Sequence, residues 1–251
     1  MKVGRAFFWP PNSSALSLVA YQPLENHRGN IIKFVEEWRK RKDEELPGGR
    51  LLDKVWTWID EAARNHDRGK AETFRIKQER RTGPFEYSFL GHRFRTPEGM
   101  SLFAELVEQG HHDYSTLEIA KTAARIRREG KEEEQKFHRC FPEALYVLSM
   151  CDQIEAETAV RAFYDESESR AFLDFILYAE NRQDGPLPFG ERATFYLDPF
   201  PFREAITNRV EYWLWENPPQ NVEQLTKPGR GEERLTNLLL RTVEVTICPL
   251  T

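Results

Sequence analysis

The chain has 251 residues, a net charge of -5 and an aromatic content of 12%. Enough large side chains are present to fill a sizeable core, which excludes an intrinsically disordered chain. The acidic balance excludes a general nucleic-acid coat but leaves room for a local basic groove. No apolar run approaches the roughly 18 residues of a membrane-spanning helix, and the N-terminus lacks a signal-peptide core. The three scattered cysteines contain no CxxC pair, so we expect a cytoplasmic protein without a disulfide framework or a cysteine zinc site.

The first elements in chain order are two apolar runs, residues 3–9 and 15–21, around a Pro/Asn/Ser turn, which predict a β-hairpin. Apolar residues at helical spacing then predict a helix from about residue 24 to the basic run at 39–42. Further predicted helices cover residues 51–65, 99–109, 115–129, 142–164, 168–181 and 202–215. Residues 73–88 are predicted as a loop and residues 184–201 as an irregular excursion.

The last segment, residues 242–248, alternates Val and Ile with Glu and Thr, which predicts a half-buried strand. We expect this strand to pair with the N-terminal hairpin. The predicted fold class is therefore mainly α, with a small β element formed near the termini. We interpret residues 1–251 as a single domain, with a catalytic helical core at about 24–165 and a C-terminal extension at about 166–251.

The six histidines are the main chemical signal. His66 is followed directly by Asp67 at the end of an amphipathic helix, and Asp152 lies in an apolar helix that should carry no acid on its buried face. Imidazole and carboxylate together form a ligand set for divalent transition metals. Burying a carboxylate away from water without a partner would cost several kcal/mol of folding free energy. Lys70 follows one helical turn later and can approach the same point, where its charge would meet a metal-bound phosphate.

These residues carry a resemblance to a known family. The run HDRGK looks like an H-D-x-G-K motif, and the segment GHRFRTPEGMSLFAELVEQGHH looks like a lone histidine followed by a helix and a histidine pair. In this order they resemble the HD superfamily of metal-dependent phosphohydrolases, and most closely the HD nuclease domain of type I CRISPR–Cas interference nuclease-helicases. The resemblance covers roughly residues 24–165 and implies an HD-type helical bundle.

The resemblance also implies a centre of two divalent ions, with manganese, iron, cobalt or nickel as candidates. One ion would be held by His27, His66, Asp67 and Asp152. Asp67 would bridge to a second ion held by His92, His111 and His112. Two such ions bind a phosphodiester and activate a water molecule. Asp67 and Lys70 are the predicted catalytic residues, the lysine by stabilising charge at the transition state.

Individual ligands have alternatives. His92 precedes arginines and would look the same as a surface histidine. One member of the His111–His112 pair could contact phosphate or orient a ligand instead of binding metal. Asp152 could be the buried partner of an arginine. We interpret His138, which lies outside the pattern, as an ordinary histidine.

Residues 68–95 carry an excess of basic side chains that contrasts with the acidic whole. The plain interpretation is a solvated loop. The alternative is a groove that follows a nucleic-acid backbone towards the metals. The candidate nucleic-acid-binding residues are Arg68, Arg75, Lys77, Arg80 and Arg81.

The predicted function is metal-dependent hydrolysis of single-stranded DNA in CRISPR interference. No G-x-x-x-x-G-K-[ST] loop occurs, so we expect a helicase that is a separate chain or was removed, together with subunits of the interference complex. One alternative is an HD phosphohydrolase that acts on small nucleotides. Another is a non-catalytic subunit that metal stabilises and whose aromatic C-terminal third docks on a protein.

Overall fold

The computed structural model describes residues 3–9, 18–41, 51–70, 74–78, 85–89, 96–112, 115–163, 176–180, 192–198, 204–215 and 237–249. This part of the chain is mainly helical and also contains a β-sheet, as predicted. It divides into two compact units. The first comprises residues 1–30, 69–92 and 156–251, and the second comprises residues 31–68 and 93–155. In the described ranges, no helix combines the length and apolarity needed to cross a membrane.

In the described ranges, five helices lie close to their predicted positions, and a sixth, at residues 132–137, was not predicted. They are α1 (Leu24–Arg39), α2 (Asp53–Asn65), α3 (Leu102–Gly110), α4 (Thr116–Glu129), α5 (Glu132–Phe137) and α6 (Phe141–Phe163). A 3-10 turn, His138–Cys140, links the last two. The Ser115 side chain accepts a hydrogen bond from the Glu118 backbone N–H and so caps α4.

The strands are β1 (Val3–Trp9), β2 (Leu18–Pro23), β3 (Phe74–Gln78), β4 (Phe85–Phe89), β5 (Ile176–Glu180), β6 (Arg192–Asp198), β7 (Ile206–Trp215) and β8 (Asn237–Pro249). One sheet has the order β1-β2-β7-β8-β6-β5. Its first four strands are antiparallel neighbours, whereas β6 runs parallel to β8. β3 and β4 form a separate antiparallel pair.

Several sequence predictions about the β structure are wrong. The predicted helix at 202–215 is strand β7, in which Ile206, Val210 and Tyr212 are buried while Thr207 and Arg209 are exposed. The aromatic run at the end of the strand hides this alternation of buried and exposed residues, which has the period of two typical of a strand. β5 occupies part of the predicted helix at 168–181, β6 lies in the predicted irregular excursion, and β3 and β4 replace the predicted loop at 73–88.

The predicted N-terminal hairpin and C-terminal strand are both confirmed, and they belong to one sheet. Direct pairing between them is wrong, because β7 lies between β2 and β8. β7 pairs through one edge with β8 and through the other with β2.

Each unit has its own aromatic core. In the first unit, Phe7 stacks on Phe163 with ring centroids 4.6 Å apart, and the Tyr212 hydroxyl donates to the Ala159 carbonyl at 2.7 Å. In the second unit, Trp58 stacks on Phe103 at 4.7 Å, and Phe141 meets Phe103 edge to face. These contacts pack α2, α3 and the start of α6 against one another in the second unit.

Candidate metal centre

The His66–Asp67 doublet lies where α2 ends. His66 is the C-cap residue, and its backbone N–H donates to the Ala63 carbonyl at 3.1 Å. Asp67 follows with a left-handed φ of 58°, the only positive φ of a non-glycine residue in the described part of the chain. Aspartate is one of the few residues that visits this region. The sharp turn brings the two neighbouring side chains together, with His66 Nε2 3.2 Å from Asp67 Oδ2.

Asp152 reaches the same point from α6. Its Oδ1 lies 3.3 Å from His66 Nε2, and the residue is only 5% exposed among buried apolar neighbours. His66, Asp67 and Asp152 each offer a ligand atom within 4.8 Å of the others. An acid on the buried face of an apolar helix is therefore explained by its partners rather than by solvent.

The histidine pair follows α3, which His111 caps at its C-terminal end. His111 Nε2 lies 3.9 Å from Asp67 Oδ1 and 4.0 Å from Asp152 Oδ2. Asp67, His111 and His112 form a second group whose ligand atoms lie within 4.8 Å of one another. His111 is buried, whereas the His112 side chain is 46% exposed. Asp67 thus belongs to both groups.

Two side chains that the sequence analysis missed hold these residues in place. The Glu108 carboxylate accepts a hydrogen bond from the Asp67 backbone N–H at 3.2 Å, and the Glu108 carbonyl contacts His111 Nδ1. The Ser149 hydroxyl donates to the His111 carbonyl at 2.7 Å. A sequence signal existed for Glu108, since it is an acid on the apolar stripe of α3, three residues before His111.

The electrostatics of the two buried imidazoles differ. Burial alone would lower the pKa of His66, but the carboxylates of Asp67 and Asp152 outweigh it and raise that pKa to about 9. Burial and the neighbouring charge of His66 instead hold the pKa of His111 well below its usual range. Asp67 and Asp152 therefore favour one positive charge between their carboxylates. Both histidines also end a helix, where the backbone carries negative partial charge.

The donor set fits a divalent metal ion. Imidazole nitrogen and carboxylate oxygen are ligands of first-row transition metals. The buried His and Asp side chains of this cluster lie within ligand-sharing distance of one another. These groups could hold a metal ion.

The remaining predicted residues include side chains of the first unit. His27, on α1, and Lys70 are both buried, and both belong to the first unit. Arg68 is exposed at the end of the second unit. His92, Arg80 and Arg81 lie outside the described residues.

Arg75 and Lys77 occupy alternate positions of β3, so their segment is a strand and not the loop that the sequence predicted. His138 is confirmed as lying outside the cluster, in the 3-10 turn, where its Nδ1 contacts the Gln135 carbonyl at 2.7 Å.

Comparisons with protein-family models, with curated proteins and with solved structures find no match to this chain.

Proposed function

We propose that this protein is a metal-dependent phosphodiesterase that hydrolyses single-stranded DNA, acting in CRISPR interference with a separate or removed helicase part. One observation carries the proposal: the His66–Asp67 doublet, His111 and Asp152, which are far apart in sequence, meet in one buried cluster. Burying two carboxylates costs several kcal/mol per ion unless a cation repays it. A cluster with this composition is suited to metal binding and adds nothing to a hydrophobic core.

The proposed ligand set follows the order of residues in the sequence. His66, Asp67 and Asp152 would hold one ion, with His27 as its fourth ligand. Asp67 would also serve the second ion, together with His111, His112 and His92. Such a pair of ions supplies Lewis acidity and an activated water for attack on a phosphodiester. The described groups around Asp67 support both halves of this assignment.

The protein's own side chains have distinct tasks in this proposal. Asp67 and Asp152 provide the negative charge that retains cations in a buried place. His112, being half exposed, lies at the solvent side of the cluster, where a substrate would enter. Lys70 would place its ammonium near the phosphate oxygens and stabilise the charge that develops there. Arg68, Arg75, Lys77, Arg80 and Arg81 would bind the DNA backbone on either side.

The proposal is tested with circular single-stranded DNA, which has no ends for an exonuclease. Protein stripped with a chelator and reloaded with manganese should cleave it, and the Asp67→Asn variant should not. Asparagine is chosen because it also tolerates a left-handed φ, so the backbone at this turn is retained. Glu134→Gln is the matched control, since Glu134 is equally buried but accepts its hydrogen bond from the Phe103 N–H, at the other end of α3.

The other outcomes separate the alternatives. Cleavage restricted to linear strands would indicate an exonuclease, and hydrolysis restricted to a nucleotide panel would indicate an enzyme of small nucleotides. Protein that binds manganese tightly and degrades none of these substrates would contradict the proposal and favour a structural metal site. Protein that binds no manganese would overturn the metal centre itself.

A further inference from the structure

Glu108 makes two contacts with the cluster while standing outside the predicted ligand set. It lies in the last turn of α3 and is fully buried. Its carboxylate accepts from the backbone N–H of Asp67, and its own carbonyl contacts the ring of His111. One residue therefore touches both halves of the cluster: the acid shared between the two groups and the histidine of the second group.

The carbonyl contact determines which nitrogen of His111 can bind a metal. A carbonyl oxygen only accepts hydrogen bonds, so Nδ1 of His111 must carry the proton that it donates. The lone pair then lies on Nε2. Nε2 is the nitrogen that faces the carboxylates of Asp67 and Asp152, at 3.9 Å and 4.0 Å. The Ser149 hydroxyl holds the next carbonyl, that of His111 itself, so the whole end of the helix is fixed.

The carboxylate contact acts on the backbone of Asp67. A residue with a φ of 58° persists in that strained conformation only when its surroundings determine it. The hydrogen bond from the Asp67 N–H to Glu108 is one such determinant, and its acceptor is a buried carboxyl oxygen, where the low local dielectric strengthens a hydrogen bond. Turning the Asp67 backbone would move the carboxylate that both ligand groups share.

We infer that Glu108 is a positioning residue of the metal centre, which fixes the backbone of Asp67 through its carboxylate and the imidazole of His111 through its carbonyl. The inference rests on the proposed metal-dependent function and extends it to a residue outside the predicted ligands. Partners of this kind, one shell beyond a metal, typically change metal affinity by about 10- to 100-fold when they are removed.

Two substitutions separate the roles of the carboxylate. Glu108→Met keeps the side-chain volume and removes the acceptor, whereas Glu108→Gln keeps an oxygen that can accept from the Asp67 N–H and removes the charge. The matched controls are Glu134→Met and Glu134→Gln. Glu134 is also buried and also accepts a backbone N–H of α3, that of Phe103 at 2.9 Å, and its other described hydrogen bond is to the Lys131 N–H, outside the cluster.

The measurement is the dissociation constant of manganese for the full chain, obtained by calorimetry, together with the unfolding midpoint of the metal-free protein. We expect Glu108→Met to weaken binding by about 10- to 100-fold and Glu108→Gln to restore most of the affinity. The Glu134 variants should lower the unfolding midpoint and leave the dissociation constant unchanged. A positioning role of Glu108 would thus change the affinity for manganese. A purely structural role would change only the unfolding midpoint.

Three results would overturn the inference. Wild-type affinity in Glu108→Met would show that the hydrogen bond positions nothing. Equal losses in Glu108→Met and Glu108→Gln would assign the effect to the charge and not to the acceptor. Equal losses in the Glu108 and Glu134 variants would assign it to general stability. Failure of the wild-type chain to bind manganese is a separate result, which removes the proposed function and the inference together.

Discussion

The turn at Asp67 allows a test of the backbone that is independent of metal chemistry. Asp67→Ala and Asp67→Gly remove the same carboxylate and differ only in what they allow at a φ of 58°. Alanine in the left-handed region costs roughly 1–2 kcal/mol, whereas glycine adopts it freely but gains roughly 0.4–1 kcal/mol of conformational entropy when unfolded. The difference leaves the glycine variant more stable by about 1 kcal/mol.

The assay is urea unfolding of both variants in the presence of a chelator. The free energies of unfolding are compared under the condition that both variants have the same dependence on urea concentration. A helical position serves as the control. Ala120→Gly on the exposed face of α4 should destabilise the protein by about 1 kcal/mol, so at this position the alanine protein is the more stable one and the glycine variant the less stable. If Asp67→Ala proved as stable as Asp67→Gly, the left-handed turn would not exist in solution, and the account of how His66 and Asp67 meet would be refuted.

Two further predictions concern the second unit. Ser101→Ala should cost about 1–2 kcal/mol in urea unfolding, because its hydroxyl caps α3 through the Ala104 N–H and also donates to Glu61 at 2.7 Å, while loss of the exposed cap Ser115 should cost less. Equal losses would contradict this. In metal-free protein the pKa of His66, raised to about 9 from 6.5, contributes stability that is fully present below pH 6.5 and is lost as the pH rises through 9. A nuclear magnetic resonance titration of the imidazole should show this midpoint and its fall in Asp152→Asn; a midpoint near 6.5 would contradict it.

The sequence predicted the helices of the candidate site well because their apolar stripes have a clear period. α2, α3 and α6 each lie within a few residues of their predicted bounds. The meeting of His66, Asp67, His111 and Asp152 was predicted from the order of these residues and from the chemistry of buried acids, and the structure brings them together. The ligand roles of His27 and His92 stay predictions.

What could not be predicted depends on backbone groups and on long-range pairing. Glu108 and Ser149 act on an N–H and a carbonyl, and every residue except proline has both, so no side-chain pattern marks their targets. The helix predicted over β7 is wrong because the aromatic run at the end of the strand hides its period of two, and the buried polar residue Asn208 interrupts the apolar alternation as well. Its place between β2 and β8 is a matter of strand order, which local sequence does not encode.

The two helix ends that meet at the cluster impose an order on binding. α2 and α3 both end at a histidine, and the C-terminal end of a helix carries roughly half a negative charge. Together with the carboxylates of Asp67 and Asp152, these ends repel anions, which is the reverse of the phosphate sites found at helix N-termini. In the proposed function, a nucleic-acid phosphate would therefore bind only after cations had offset this negative charge, so the metal would have to bind before the substrate.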